Sequence, residues 1–216
     1  MSELQTTEML ILRKTPYRES SLIVAGITPG NGRLDLVVKG ELAFSKKKFP
    51  VIDLFREIQV EFARSPQSTL HNLRQAEVVA DCGIELAAVP DNFLLASELA
   101  ELILKTTRPE LPCPETFDAA LNVLNMLSQI AGDDPQAAAK RARCAAMMKL
   151  VILSENGLLP EDLDPDPDAN VEKHDLLDHI LAAAQGLDDP PVNTGSFWTR
   201  MSRWSDQLMT KTELRE

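Results

Sequence analysis

Eleven of the first 80 residues are Lys or Arg, and nine of them form a set of interest: Arg13, Lys14, Arg18, Arg33, Lys39, Lys46, Lys47, Lys48 and Arg74. Cations gathered along one groove neutralise phosphates and release the counterions condensed on a nucleic-acid strand, the main source of sequence-tolerant affinity. Three aromatics share the stretch, Tyr17, Phe44 and Phe49, and the last two flank the lysine run. Flat rings beside cations can stack unpaired bases. The same residues also suit plainer duties. The cations would serve as a solvated surface with acidic neighbours, and Phe44 and Phe49 as plugs of an apolar core. Phe55 and Phe62 fall within a strand-like run and are expected in the core.

Other chemistry is poorly supplied. Asp164, Asp166 and Asp168 have the odd spacing of a calcium loop's first ligands. The glycine such a loop needs at its sixth position is Ala169, and its twelfth is Asp175 rather than Glu, so a stiff acidic linker is expected. His174 and His179 are five apart, on different faces of a helix, which argues against a shared metal. Cys82, Cys113 and Cys144 are scattered, with no C-x-x-C pair, and give neither a disulfide framework nor a zinc site. Cys144 lies among Ala and Met and is expected to be packing. No phosphate loop, G-x-S-x-G or H-E-x-x-H occurs. His71 has no partner that the sequence reveals. No enzyme activity and no cofactor are expected.

The chain of 216 residues carries a net charge of -11, which taken whole argues against a nucleic-acid partner. The distribution reads differently. Residues 1–80 hold 11 Lys/Arg and 9 Asp/Glu, whereas residues 81–216 hold 11 and 24. The acidic excess belongs to the second part, and such asymmetry points to two modules with different partners.

The elements that must position these residues change type near residue 80. Met9–Leu12, Ser21–Ile27, Arg33–Val38, 51–62 and Thr69–Leu73 read as strands, the first closed by Pro16 and the second and third joined by Gly30-Asn31-Gly32. Residues 41–49 read as a basic loop. Five short strands at this spacing fit a small barrel, for which an OB-type architecture is the common answer. Beyond residue 81 the apolar spacing turns helical. Helices are expected from Asp91 through about Thr107, from Glu115 to about Ile130, from Pro135 to Gly157, over about 172–185 and over about 195–213, with an acidic, proline-rich loop at 160–170. The last carries Phe197, Met201, Trp204 and Leu208 on one stripe, with Arg200 and Arg203 beside it. That stripe either docks on the helical core or offers a groove to a partner peptide.

The run P-Y-R-E-S-S-L-I-V at 16–24, followed by G-R-L-D-L-V-V-K-G at 32–40 and the basic loop Ser45–Lys48, resembles the opening of bacterial RecO proteins. Thr69-Leu70-x-x-Leu73-x-x-Ala76-Glu77 is similar to that family's last barrel strand. L-A-E-L-I-L-K at 99–105, F-D-x-x-L-x-x-L at 117–124 and K-L-V-I-L-S-E-N-G-L-L-P-E-D-L at 149–163 are similar to the helices that follow. Many RecO proteins carry paired zinc cysteines directly afterwards; residues 164–193 here contain none.

The resemblance implies an α+β protein: an OB-type DNA-binding barrel over 1–80 and an all-α domain over 81–216. It implies a recombination mediator that binds single-stranded DNA and single-strand-binding protein, anneals strands and, with RecR, helps load RecA. The nine cations would hold phosphates. Tyr17, Phe44 and Phe49 would stack bases. Phe197, Arg200, Met201, Arg203 and Trp204 would meet the tail of single-strand-binding protein. An alternative from the acidic balance is an adaptor whose barrel binds proteins only. The opening MSELQTTEML has no basic n-region, and no apolar run is long enough for a membrane span, so a cytoplasmic, nucleoid-associated bacterial protein is expected.

Overall fold

The computed structural model describes residues 4–39, 51–65, 68–159, 173–191 and 194–211. Five strands, β1 (Leu4–Tyr17), β2 (Ser21–Thr28), β3 (Gly32–Lys39), β4 (Arg56–Ala63) and β5 (Leu70–Asp81), precede six helices. The helices are α1 (Gly83–Ala88), α2 (Pro90–Thr106), α3 (Pro114–Ser128), α4 (Ala137–Glu155), α5 (Lys173–Ala184) and α6 (Gly195–Lys211). The chain forms two compact units that are not contiguous in sequence. One is Met1–Ile84 with Thr107–Phe117, and the other is Glu85–Thr106 with Asp118–Glu216.

The strands close in the order β1-β2-β3-β5-β4. All pairings are antiparallel except β3 with β5, which meet in parallel over Asp35↔Leu70 to Val37↔Asn72. This is a five-stranded OB-type barrel. Alternation sets its inside: along β3, Leu34, Leu36 and Val38 are buried while Arg33, Val37 and Lys39 face outward. They join Met9, Ile11, Leu22, Val24, Ile58, Val60, Phe62 and Leu73 in one cluster. Each such side chain contributes about 1.5–3 kcal/mol of burial.

β1 serves two neighbours in turn. Leu4–Leu10 pair with β4, and after a bulge between Ile11 and Arg13 the strand continues along β2 to Tyr17. Pro16 therefore does not close the strand as the sequence suggested. Past Leu10 the β4 side of β1 is no longer paired, so a residue without an N–H is tolerated there. The strand expected over 51–62 starts only at Arg56. Phe55 sits in the preceding turn at φ 61°, buried, its N–H donating to Ile11 O. Gly26 is required where β2 crosses β1: a Cβ there would lie 2.0 Å from Leu10 O.

Thr107–Phe117, between α2 and α3, packs with the barrel unit. It clasps the β2–β3 turn through Arg33 N–H to Arg108 O (3.2 Å), Glu110 N–H to Asn31 O (2.8 Å) and Cys113 N–H to Pro29 O (3.1 Å). Gly32 and Pro109 form an isolated bridge, and Arg64 pairs with Glu110.

In the helical unit, α4 is buried almost all round, from Cys144 to Met148 and from Leu150 to Leu153, as a central helix must be. Asn92, fully buried on α2, donates to Leu127 O (3.0 Å) and Ile130 O (2.8 Å) at the end of α3 and accepts from Arg141 Nε (2.8 Å) on α4. Asn122 likewise donates to Ala183 O and Ala184 O at the end of α5. Helix α1 was not anticipated from sequence.

Candidate nucleic-acid interface

One end of the barrel is built by the β1–β2 turn and the end of β3. Tyr17 pairs with Ser21, and Ser21 pairs with Lys39 on the next strand. Arg18 reverses the chain at φ 56°, a left-handed conformation, and its guanidinium lies 5.0 Å from the centre of the Tyr17 ring. That spacing is favourable for a cation over an aromatic face. Tyr17, Arg18, Glu19, Ser20, Val37 and Lys39 line an open cleft of about 700 Å³. Lys39 is exposed at the end of β3, and Arg74 is exposed at an irregularity in β5, beyond its last pairing with β3 at Val37↔Asn72. Arg13 is exposed on β1, opposite Ala25.

The cations predicted from sequence divide into two groups. Arg13, Arg18, Lys39 and Arg74 have no carboxylate partner among the described residues. Lys14 is engaged by Asp53 at 2.6 Å, and Arg33 by Asp35 at 3.0 Å near the clasped turn. Burial pushes the Asp53 carboxyl up, but hydrogen bonds from Lys14 and the Leu54 N–H, with the charges of Lys14 and Arg56, bring it below its usual value. Lys14 and Arg33 are thus held by carboxylates, which the sequence did not foretell. Arg56 and Arg64, left out of the predicted set, are paired with Asp81 and Glu110. Lys46, Lys47, Lys48, Phe44 and Phe49 lie outside the described residues. Glu19, Ser20 and Ser21 were not assigned a role in advance, although the P-Y-R-E-S-S motif that carries them was conspicuous.

Phe62 is in the barrel core, its ring stacked on His71 at 5.5 Å. His71 Nδ1 accepts the Ser65 N–H at 3.1 Å. Burial, then the nearby Arg64, lowers the His71 pKa from its usual value. Cys144 is fully buried, and burial pushes its thiol up to about 11, so it is an inert core residue.

On α6, Phe197 and Met201 are buried in the helical unit, where α6 packs against α4 and Lys149 pairs with Asp206 at 3.0 Å. These two expected partner-facing residues are core residues here, because the apolar stripe covers α4. Trp204 is half-buried, and Arg200 and Arg203 are exposed. No group of three metal-ligating side chains occurs among the described residues. His179 instead meets Asp188 at 3.2 Å and Asp189 O at 2.9 Å. The triple aspartate and the side chains of His174 and Asp175 lie outside the described residues. No described helix is long and apolar enough to cross a membrane.

The barrel, its outward basic and aromatic end and the helices that follow define an OB-type barrel protein of the α+β class. Residues 1–81 match the family described as "Recombination protein O N terminal". The chain is 30% identical over 125 residues to the "DNA repair protein RecO" of Aliivibrio fischeri (strain MJ11), covering 58% of this chain and 50% of that one. It is 27% identical over 140 residues to its namesake from Vibrio parahaemolyticus (65% and 55%), and 27% over 135 residues to that of Listeria monocytogenes serotype 4b (62% and 50%). The chain spans about half the length of the curated relatives it matches.

Proposed function

We propose that this chain is a recombinational DNA-repair mediator whose barrel binds single-stranded DNA across the end formed by Tyr17, Arg18, Lys39 and Arg74. The observation that carries the reading is an open cleft lined by Tyr17, Arg18, Glu19 and Lys39, whose two cations have no carboxylate partner among the described residues. Phosphates take the cations and a base takes the Tyr17 face, which suits every sequence. Arg13 extends the basic surface along β1, and Lys46, Lys47 and Lys48 follow β3 in sequence. The acidic second part of the chain repels DNA and restricts it to the barrel. The reading extends to the partners implied by the family: single-strand-binding protein, RecR and, indirectly, RecA, with strand annealing as the outcome and no covalent step.

The test is fluorescence polarisation of labelled oligothymidine against ionic strength. Binding should weaken steeply with salt. Lys39→Ala and Arg74→Ala should each reduce the slope of log K against log salt by about 0.7. Replacing Lys46, Lys47 and Lys48 together with Ala should reduce it further. Tyr17→Ala should cost about 1–3 kcal/mol with little change of slope. No binding at any salt would sink the reading and leave a barrel that engages proteins only.

A further inference from the structure

The cleft at the end of the barrel holds one side chain that phosphate binding does not explain. Glu19 lines it together with Tyr17, Arg18, Ser20, Ser21 and Lys39. Two cations share the lining, yet no ion pair or hydrogen bond joins the Glu19 carboxylate to them or to any other described residue. Elsewhere in the barrel unit such charges are paired: Lys14 with Asp53, Arg33 with Asp35, Arg56 with Asp81 and Arg64 with Glu110. At this cleft a carboxylate and two cations all stand free.

A negative charge in the path of a polyanion repels each phosphate that approaches. It favours a DNA strand only where the strand offers it hydrogen-bond donors. The sugar–phosphate backbone of DNA has none, so the donors must come from a base. Guanine alone among the four bases presents two adjacent donors, N1–H and N2–H, spaced for the two oxygens of one carboxylate. Its other edge carries O6 and N7, the acceptor pair that a guanidinium or ammonium takes. Free charges of both signs beside an aromatic wall therefore complement guanine on two edges.

We propose that Glu19 gives this cleft a preference for guanine, engaging N1–H and N2–H of a base held at the Tyr17 wall. The proposal rests on the reading of the cleft as the single-strand site. Stacking and phosphate contacts treat all sequences alike, whereas Glu19 adds a contact that one base completes. It also requires an unpaired base, because in a duplex both donors are already given to cytosine.

The experiment measures, by fluorescence polarisation with the full chain at low salt, three labelled strands of equal length. They are oligothymidine, alternating dG-dT and alternating dI-dT, in which the inosine base lacks only the N2 amino group. The guanine strand should bind at least about fivefold more tightly than the inosine strand. Glu19→Gln leaves one acceptor, which the N1–H of either base satisfies, so the ratio should fall to near one. The same variant should bind oligothymidine more tightly than the parent, because a repelling charge is gone. Equal affinities for the guanine and inosine strands in the parent overturn the role of Glu19 and leave the cleft as the DNA site. A guanine preference that survives in Glu19→Gln overturns it too, as does a loss of oligothymidine affinity in that variant, which would give the side chain a structural role. Binding of no strand at any salt overturns both this proposal and the reading it rests on.

Discussion

At the scale of single residues, the barrel separates cations that hold the fold from cations left to the solvent. Lys14 and Arg33 spend their charge on Asp53 and Asp35; Arg18 and Lys39 do not. Sequence spacing cannot draw that line, because Asp53 lies 39 residues from Lys14. His71 shows how burial turns a surface-type residue into a pH reporter. Its pKa is lowered in the fold, so on acidification the unfolded chain takes up its proton first. Stability from this residue is intact above the ordinary histidine pKa of about 6.5 and falls as pH drops from there through the lower folded value. Protonating Nδ1 also removes the acceptor of the Ser65 N–H. Thermal melts from pH 7.5 to 5 should show that His71→Gln has a shallower acid decline than the parent, and equal declines would assign the loss to other groups.

At the scale of elements, β3 was the most legible piece. Its alternation of polar and apolar residues maps one to one onto outside and inside, and a period of two needs only local sequence. The course of β1 past Pro16 was not legible, since the tolerance for proline depends on β4 having ended alongside, a non-local fact. The reach of β5 to Asp81 and the helix α1 were hidden for the same reason. The clasp over the β2–β3 turn is another long-range feature, joining residues about 80 apart. Gly32 sits under it at φ 62°, and a Cβ there would lie 2.2 Å from Leu111 O and 2.3 Å from Arg108 O. Gly32→Ala should therefore cost more than the roughly 1–2 kcal/mol of the left-handed backbone alone, read by urea denaturation. Gly30, where a Cβ meets nothing within 4 Å, provides the contrast: Gly30→Ala should be nearly neutral. In the helical unit, Asn92→Ala removes the side-chain donor to the Leu127 and Ile130 carbonyls and the acceptor of the Arg141 Nε–H. A loss of about 2–4 kcal/mol is expected in the same measurement.

At the scale of the whole molecule, the sequence yielded the class and order of the parts but not how the chain is shared between them. The switch from strand to helix near residue 80 was readable from period alone, and so was the placement of acidic charge in the second part. Reading only that charge total would have removed nucleic acid from consideration. The residue-by-residue match across 16–24 and 32–40 pointed the other way, and residues 1–81 carry the family match. What periodicity does not encode is that Thr107–Phe117 returns to the barrel unit after an excursion through α1 and α2.

That return has a consequence for biosynthesis. All five strands are synthesised before the segment that fastens the β2–β3 turn. Between Ile84 and Cys113 the nascent chain grows through α1 and α2, a delay of roughly 1.5–6 s at about 5–20 residues per second. During that interval the turn lacks its outer hydrogen bonds. A gene fragment cut at residue 84 would hold the barrel permanently in that unfinished condition, so the barrel is not an exchangeable cassette. Its last fastening is encoded downstream of the first two helices.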